Sequence, residues 1–261
     1  MRFGAAVVAA AILSVTTGKA LAVDTIPFTE VNGGQIEVQA SVDGKTPVPM
    51  LVDLGAGVNV LSESYGGPLV FGPVSKYTTF RLKGQRLDLT MRKVVSLSAS
   101  GVPIDDLNVG VWKGLDGTGV DGLISAMSFR NIATTFDFRS HQIVIEDAPS
   151  FAERKQHSMR VPIVLVDDRS IGLAIFALFD FGNGQSGVCQ IDTGSPGITL
   201  DSHFGPSIPS IGLPEAAATK IENPQVSFAD LIYDCNVGNS FWKGGVFTLD
   251  IPNRAIWIGT T

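Results

Sequence analysis

A short turn occurs twice in this chain, once in each half, and each copy carries an aspartate between two apolar runs. The first copy spans 53–56 and reads Asp-Leu-Gly-Ala; the second spans 192–195 and reads Asp-Thr-Gly-Ser. Mainly apolar residues precede and follow both turns. A repeated strand–turn–strand unit of this kind restricts the chain to folds in which two halves can place equivalent carboxylates opposite each other.

Two further landmarks repeat in the same order and indicate an internal duplication. A proline-led strand opens each half, at 26–28 and at 161–163. A Phe-Asp-Phe or Leu-Asp-Ile segment followed by an alternating strand closes each half, at 136–145 and 249–258. The period-two alternation, together with 29 Gly and 14 Pro, favours short strands and turns. We therefore predict an all-β fold.

Residues 1–22 have the pattern of a cleavable secretion signal. Arg2 supplies the positive charge, an apolar run follows at 5–15, and Ala20-Leu21-Ala22 is a small-residue cleavage site. The alternative is a membrane anchor, but the apolar run is short for a membrane-spanning helix. We expect an exported mature chain, periplasmic or extracellular, with no membrane span after signal removal.

The rest of the chain divides into two halves and a connection. We place the N-terminal half at 23–148 and the C-terminal half at 161–261. The intervening residues, 149–160, are polar and charged and are predicted to be a linker. Helical signals are weak, and the best candidates are a short helix at 126–129 and its counterpart at 240–242.

Charge and histidine spacing bear on the partners. The formal net charge is −6, and adjacent basic residues occur only as the pairs Arg92-Lys93 and Arg154-Lys155, which argues against nucleic-acid binding. His141, His157 and His203 show no metal-ligand spacing. We expect a monomer with no metal and no organic cofactor.

The second turn and a later segment together resemble the aspartic proteases. An Asp-Thr-Gly-Ser turn after an apolar strand is followed, later in the same half, by the short element Asn236-Val237-Gly238, taken as an apolar strand that ends in glycine. The chain is most similar to bacterial exported proteins with two retropepsin-like lobes in one polypeptide. The resemblance covers 24–259. It implies the acid-protease fold, with two similar closed β lobes, a cleft between them and hairpin flaps over the cleft.

The resemblance assigns roles to the residues of both turns. Asp53 and Asp192 would form a dyad in which two close carboxylates share one proton. One would act as base toward water and the other as acid toward the peptide carbonyl. Gly55 and Gly194 would allow the two turns to approach each other. Ser195 would donate a hydrogen bond to the outer oxygen of the second aspartate.

Two residues of the N-terminal half depart from this pattern. In the family, a threonine from each turn reaches across the interface in a paired-threonine lock, but Leu54 stands opposite Thr193. The threonine hydroxyl is therefore expected to need another partner. Ser125 stands where Gly238 closes the equivalent element of the C-terminal half. We therefore expect Asp192 to have more hydrogen-bond donors and to be the ionised member of the pair, with the shared proton on the N-terminal aspartate.

The two cysteines are predicted to lie close together. In the resembled fold Cys189 and Cys235 lie on neighbouring strands in similar register. Export would permit a disulfide, whereas the geometry of adjacent strands is often poor for one. A disulfide and two buried thiols are both left open by the sequence.

Three functions are compatible with these patterns. The first is an exported aspartic endopeptidase-like hydrolase acting on peptide or protein substrates. The second is a non-catalytic module that binds peptides or a protein partner in the same cleft. The third is a purely structural envelope protein. The arrangement of the Asp53 and Asp192 carboxylates separates the first function from the others.

Overall fold

The computed structural model describes residues 23–69 and 75–259 of the chain. The predicted secretion signal, residues 1–22, lies outside these described residues. Within them, the strands form three sheets of six, ten and eight strands. No helix in this described part of the chain is long and apolar enough to cross a membrane.

Short strands build the N-terminal half, and its two eight-residue strands, 35–42 and 86–93, alternate less and more exposed residues, as a sheet with one face on the core requires. These strands are β1 (Asp24–Pro27), β2 (Thr29–Val31), β3 (Gln35–Val42), β4 (Val48–Asp53), β5 (Asn59–Ser62), β6 (Ser75–Phe80), β7 (Arg86–Lys93), β8 (Leu97–Ala99), β9 (Val102–Pro103), β10 (Asn108–Trp112), β11 (Gly122–Ser125), β12 (Thr134–Asp137) and β13 (Gln142–Ile145).

The C-terminal half is also built of strands. They are β14 (Ser158–Pro162), β15 (Val164–Asp168), β16 (Gly172–Gly182), β17 (Gln185–Ile191), β18 (Ile198–Asp201), β19 (Ser210–Leu213), β20 (Ala216–Glu222), β21 (Val226–Ala229), β22 (Cys235–Val237), β23 (Val246–Asp250) and β24 (Ala255–Gly259). The α-helices of the described residues are α1 (Glu63–Gly66), α2 (Ala148–Gln156) and α3 (Asn239–Trp242). Single 3-10 turns lie at Lys113–Leu115, Ala126–Phe129 and Ser202–Phe204.

The helices confirm one sequence prediction and include one helix that was not predicted. The two short helices expected near 126–129 and 240–242 are present. The helix α2 was not predicted, because no apolar stripe marks it and none of its residues is buried. Its start is instead fixed by a capping box, in which Asp147 and Ser150 exchange hydrogen bonds, and by Pro149 in the first turn.

Strand pairing is equivalent in the two halves. Strand β11 pairs parallel with β4 and antiparallel with β5, and β22 pairs in the same way with β17 and β18. Outside these strands, β10 runs parallel to β5 as β21 runs parallel to β18. The two aspartate turns therefore occupy the same place in each half, at the carboxyl ends of β4 and β17.

Residues 78–91 alternate apolar and polar side chains on either side of Gly84, a pattern that predicts a β-hairpin, and the structure confirms it. Strands β6 and β7 pair antiparallel, with Thr78 opposite Asp88. Between them, Gly84 has a φ of 77°, a left-handed conformation that glycine adopts without strain. Residues of both strands line the cleft beside the aspartate turns.

The six-stranded sheet joins the two halves. Its strand order is β1-β13-β12-β23-β24-β14, so three strands of each half meet at the pair β12–β23. At this seam Phe136 stacks on Phe247 with ring centroids 4.9 Å apart, and the Thr135 and Thr248 hydroxyls are 2.7 Å apart. Most of the buried apolar side chains, from both halves, form one continuous hydrophobic core. The aspartate turns are therefore fixed relative to each other by a shared sheet.

A buried carboxylate attaches α2 to this sheet. Glu146 is 4% exposed and accepts hydrogen bonds from the Thr135 hydroxyl and from the guanidinium of Arg154 on α2. A small cavity of about 370 Å³ lies beside it, lined mainly by charged and polar side chains and containing neither aspartate of the repeated turns. This ion pair joins the connecting segment to the seam between the two halves.

Cys189 and Cys235 form a disulfide. The two residues are directly opposite each other in the parallel pair β17–β22, with Cα atoms 4.5 Å apart, and both are fully buried. The next residues along these strands are Gln190 and Asn236, which line the cleft. The bridge therefore joins the two strands that carry these polar side chains.

Replacing both cysteines with alanine is expected to lower the free energy of unfolding by about 2–4 kcal/mol, because the bridge restricts the unfolded chain. The cysteines are 46 residues apart in sequence. Urea unfolding of Cys189→Ala/Cys235→Ala against the wild type measures the loss. The wild type, unfolded and refolded in reductant, should reach the midpoint of the variant; identical midpoints for variant and oxidised wild type would contradict the prediction.

Candidate active site

The two aspartate turns meet at the bottom of the cleft between the halves. A Cβ atom on Gly194 would lie 2.3 Å from the Asp53 carboxyl carbon, and one on Gly55 would lie 2.5 Å from that of Asp192. Any side chain at either glycine would therefore displace the carboxyl of the other half. The two aspartate side chains are close enough to share a hydrogen bond.

At Asp53, both main-chain donors reach the same oxygen. Oδ1 accepts from the N–H groups of Gly55 at 2.9 Å and Ala56 at 3.0 Å. Within the described part of the chain, Oδ2 receives no N–H. Burial raises the pKa of Asp53 well above its usual range, and the negative charge of Asp192 raises it further. The proton of the pair is therefore favoured on this carboxyl.

At Asp192, the donors reach both oxygens. Oδ1 accepts from Gly194 N–H at 2.9 Å, and Oδ2 accepts from the Asn236 side-chain amide at 2.7 Å. The expected bond from Ser195 is wrong: among the described residues its hydroxyl has no hydrogen bond, and its N–H is directed to the main-chain oxygen of Asp192. The longer amide of Asn236 takes that position. The expectation of fewer donors at Asp53 is also wrong, since each carboxyl has two and only their distribution differs.

Thr193 has partners without a second threonine. Its hydroxyl accepts from the N–H of Leu54 at 3.0 Å and donates to the carbonyl of Val52 at 2.7 Å. The expectation that this hydroxyl needs a partner other than a second threonine is met by two main-chain atoms. The Leu54 side chain is itself fully buried in the core. The lock is thus one-sided. Thr193 of the C-terminal turn hydrogen-bonds the main chain of the N-terminal half, and the equivalent Leu54 has no hydroxyl to form such bonds.

Two glutamine side chains add bonds across the interface. Gln190 of the C-terminal half donates to the carbonyl of Gly55 at 3.0 Å. Gln35 of the N-terminal half donates to the carbonyl of Gly194. Each aspartate turn is therefore held by an amide from the opposite half, at the carbonyl of the glycine that permits the close approach.

Ser125 and Gly238 hold equivalent places with different surroundings. A Cβ on Gly238 would lie 2.2 Å from the Ser195 carbonyl oxygen, so only glycine fits there. Ser125 is fully buried, and its N–H donates to the Asn59 side chain at 2.7 Å. Its hydroxyl accepts from Met127 N–H and begins the short helix that follows. Asn59 therefore accommodates a serine at this place in the N-terminal half, where the C-terminal half requires glycine.

The cleft is a cavity of about 570 Å³ that contains both aspartates. Two main-chain bonds cross it: Ile232 N–H donates to Leu82 of the β6–β7 hairpin at 3.2 Å, and Leu173 N–H donates to Gly57 at 2.9 Å. The side chains that line it are largely apolar and come from both halves, among them Tyr77, Phe80, Leu87, Leu89, Trp112, Leu173, Phe176 and Tyr233.

The polar residues around Asp192 were missed by sequence reasoning. Asn236 was assigned to an apolar strand position, although its polar side chain in a buried strand was the available signal. Tyr233 donates from its hydroxyl to Gln190 Oε1 at 2.5 Å. Burial raises the pKa of this phenol, and the charges of both aspartates raise it further, so the hydroxyl stays a donor. In the described residues, no group of histidine, cysteine or acidic side chains could hold a metal ion.

Thr193→Val is expected to lower the free energy of unfolding by about 1–3 kcal/mol, because it leaves the Leu54 N–H and the Val52 carbonyl buried without a partner. Thr199→Val is the matched control. Its hydroxyl bonds only the exposed Ser227 side chain, so a smaller loss is expected. Urea unfolding measures both variants, and equal losses would argue that the Thr193 bonds add no more than a surface contact.

Comparison with known proteins bears on the fold. No protein-family model matches the chain, and no curated protein matches it in sequence. The chain is similar in structure to basic 7S globulin from soybean, at 11% identity and a TM-score of 0.59, over 92% of this chain and 96% of that one. It is also similar to an aspartic proteinase from Irpex lacteus, at 13% identity and a TM-score of 0.59, over 92% and 98%. At these identities the likenesses show the fold alone, which confirms the predicted all-β class and is pepsin-like.

Proposed function

We propose that this chain is an aspartic endopeptidase that cleaves peptide or protein substrates in the cleft. The proposal depends on one observation above all, the contact between the carboxyls of Asp53 and Asp192 at the cleft floor. Burial and like charge raise the pKa of Asp53, so the pair holds one proton where a single exposed carboxyl would hold none. One acid and one base side by side are what the hydrolysis of a peptide by water requires.

The donors around the pair assign the two roles. The carboxylate of Asp192 takes a proton from a water molecule as the water oxygen bonds to the peptide carbonyl carbon. Asp53 gives its proton to the carbonyl oxygen, which leaves a neutral tetrahedral diol. The carbon–nitrogen bond then breaks as Asp192 returns its proton to the leaving amine. Asp53 takes a proton from one diol hydroxyl, and both carboxyls return to their starting state.

The remainder of the cleft supports a polypeptide substrate. Its apolar lining suits hydrophobic side chains on either side of the cleaved bond. The β6–β7 hairpin contacts the C-terminal half at the Leu82–Ile232 bond, so a substrate enters when this contact opens. An extended peptide fits such a roofed groove better than a compact domain does.

We propose a bacterial exported protein with two retropepsin-like lobes, at 23–148 and 161–261, joined at 149–160. The equivalent strand pairing of the halves supports the two lobes. The disulfide between Cys189 and Cys235 supports export, because disulfides persist mainly in oxidising compartments.

A non-catalytic peptide-binding module is the second candidate. The one-sided lock favours it, since the N-terminal turn carries Leu54 in place of a threonine. The comparisons fit both candidates, because one similar structure is named as a proteinase and the other as a globulin. The two functions differ in whether a bound peptide is cleaved.

Asp53→Asn and Asp192→Asn are each expected to reduce peptide cleavage by at least about 100-fold, because either change removes the acid or the base. A peptide-library digest from acid to neutral pH measures the effect. Asp105→Asn is the control, because Asp105 is exposed and does not line the cleft. Full cleavage by Asp53→Asn would rule out the paired mechanism, and binding without cleavage by the wild type would select the binding module.

The raised pKa of Asp53 also predicts a pH dependence of stability. The folded state holds this proton more tightly than the unfolded state. The resulting stability is complete below the ordinary carboxyl pKa and is lost as pH rises through the raised value. Relative to Asp53→Asn, whose side chain cannot ionise, the wild type should therefore lose unfolding free energy across this window. Urea unfolding at a series of pH values tests this, and parallel curves for the two proteins would contradict it.

A further inference from the structure

We propose that Asn236, and not Ser195, is the positioning residue for Asp192, and that it keeps the proton of the pair on Asp53. The inference rests on the proposed function for its effect on catalysis. The location of the proton can be measured in an active or an inactive protein, so the two proposals can fail separately.

The hydrogen-bond donors are distributed differently at the two carboxyls. Each oxygen of Asp192 accepts an N–H, one from Gly194 and one from Asn236. Both donors of Asp53 reach Oδ1, which leaves Oδ2 without an N–H in the described residues. Hydrogen bonds to a charged carboxylate stabilise the charged form. The oxygen that lacks an N–H donor is the place for the proton.

The two halves carry different side chains at equivalent strand positions. Strand register makes Asn236 the equivalent of Leu123, and Gln190 the equivalent of Leu51. Gln190 and Leu51 each lie two residues before the aspartate of their half, and they stand directly opposite Asn236 and Leu123. The C-terminal half thus has two amides where the N-terminal half has two leucines. A leucine at 123 cannot donate to Asp53, so the duplicated backbone carries an unequal pair of carboxyls.

The neighbours of the Asn236 amide fix its orientation. The side chain is 1% exposed, and its Oδ1 faces the Tyr233 hydroxyl at 3.5 Å. With the amide reversed, an oxygen would face the Asp192 carboxylate at the same distance as the present N–H. Two acceptors in that contact repel each other, so an ionised Asp192 holds the amide as observed.

Further hydrogen bonds connect the Asn236–Asp192 contact to the aspartate turn of the N-terminal half. Tyr233 donates to Gln190, and Gln190 donates to the carbonyl of Gly55. The N–H of Gly55 in turn donates to Asp53 Oδ1. The same polar cluster therefore solvates one carboxylate directly and fixes the turn that carries the other. The disulfide between β17 and β22 lies beside it and keeps the two strands in register.

Carboxyl-resolved NMR titration of the two aspartates tests the proposal. In the wild type, Asp192 should ionise at lower pH than Asp53. Asn236→Leu copies the residue found in the other half, keeps a similar volume and removes the donor. It should move the titration of Asp192 upward by about one pH unit or more, as expected for the loss of a hydrogen bond to a charged group. Ser195→Ala should leave that titration where it is.

Asn236→Ser is the second variant, in case the leucine disturbs folding. Its short hydroxyl does not span to Asp192, so the same upward shift is expected. An unchanged titration of Asp192 in either folded variant, or a shift in Ser195→Ala alone, would overturn the proposal. With an active enzyme, Asn236→Leu should also move the acid limb of the kcat/KM profile to higher pH with little change in KM. The NMR shift without any wild-type cleavage would reject the proposed function and keep this inference.

Discussion

Close contact between two like-charged groups is the constraint on which the rest of this structure depends. The carboxyls of Asp53 and Asp192 come from opposite halves of the chain, and each lies against a glycine of the other turn. Such a contact costs electrostatic and desolvation free energy unless one proton is shared. It also needs the two halves to be aligned closely, and the shared sheet, the Thr193 hydroxyl and the two cross-interface glutamines provide that alignment.

Duplication accounts for the backbone but not for the chemistry of the site. Strand pairing around the two turns is equivalent, yet the side chains at equivalent strand positions differ. The C-terminal half places amides at 190 and 236 where the N-terminal half places leucines at 51 and 123. An apolar half and a polar half give the two aspartates unequal surroundings. An unequal pair suits a reaction in which one carboxyl must give a proton while the other takes one.

Sequence patterns predicted what depends on local periodicity and repetition. Such patterns predict the repeated turn, the hairpin around Gly84 and the all-β fold class. The partners of Thr193 were beyond them, because they are main-chain atoms of the other half and no residue type reveals them. The role of Asn236 was equally hidden, since it follows from strand register rather than from spacing. Helix α2 was missed because its signal is a capping box at Asp147 without a buried face.

The seam between β12 and β23 limits how the cleft can open. Rotation of one half against the other would shear the main-chain hydrogen bonds of this pair and separate the stacked rings of Phe136 and Phe247. The β6–β7 hairpin lies at one end of the separate ten-stranded sheet and contacts the other half through single main-chain bonds such as Leu82–Ile232. The part of the cleft that carries the carboxyls is therefore stiff, whereas the β6–β7 hairpin above it bends easily. A molecule enters the cleft when the hairpin bends, and the carboxyls keep their positions.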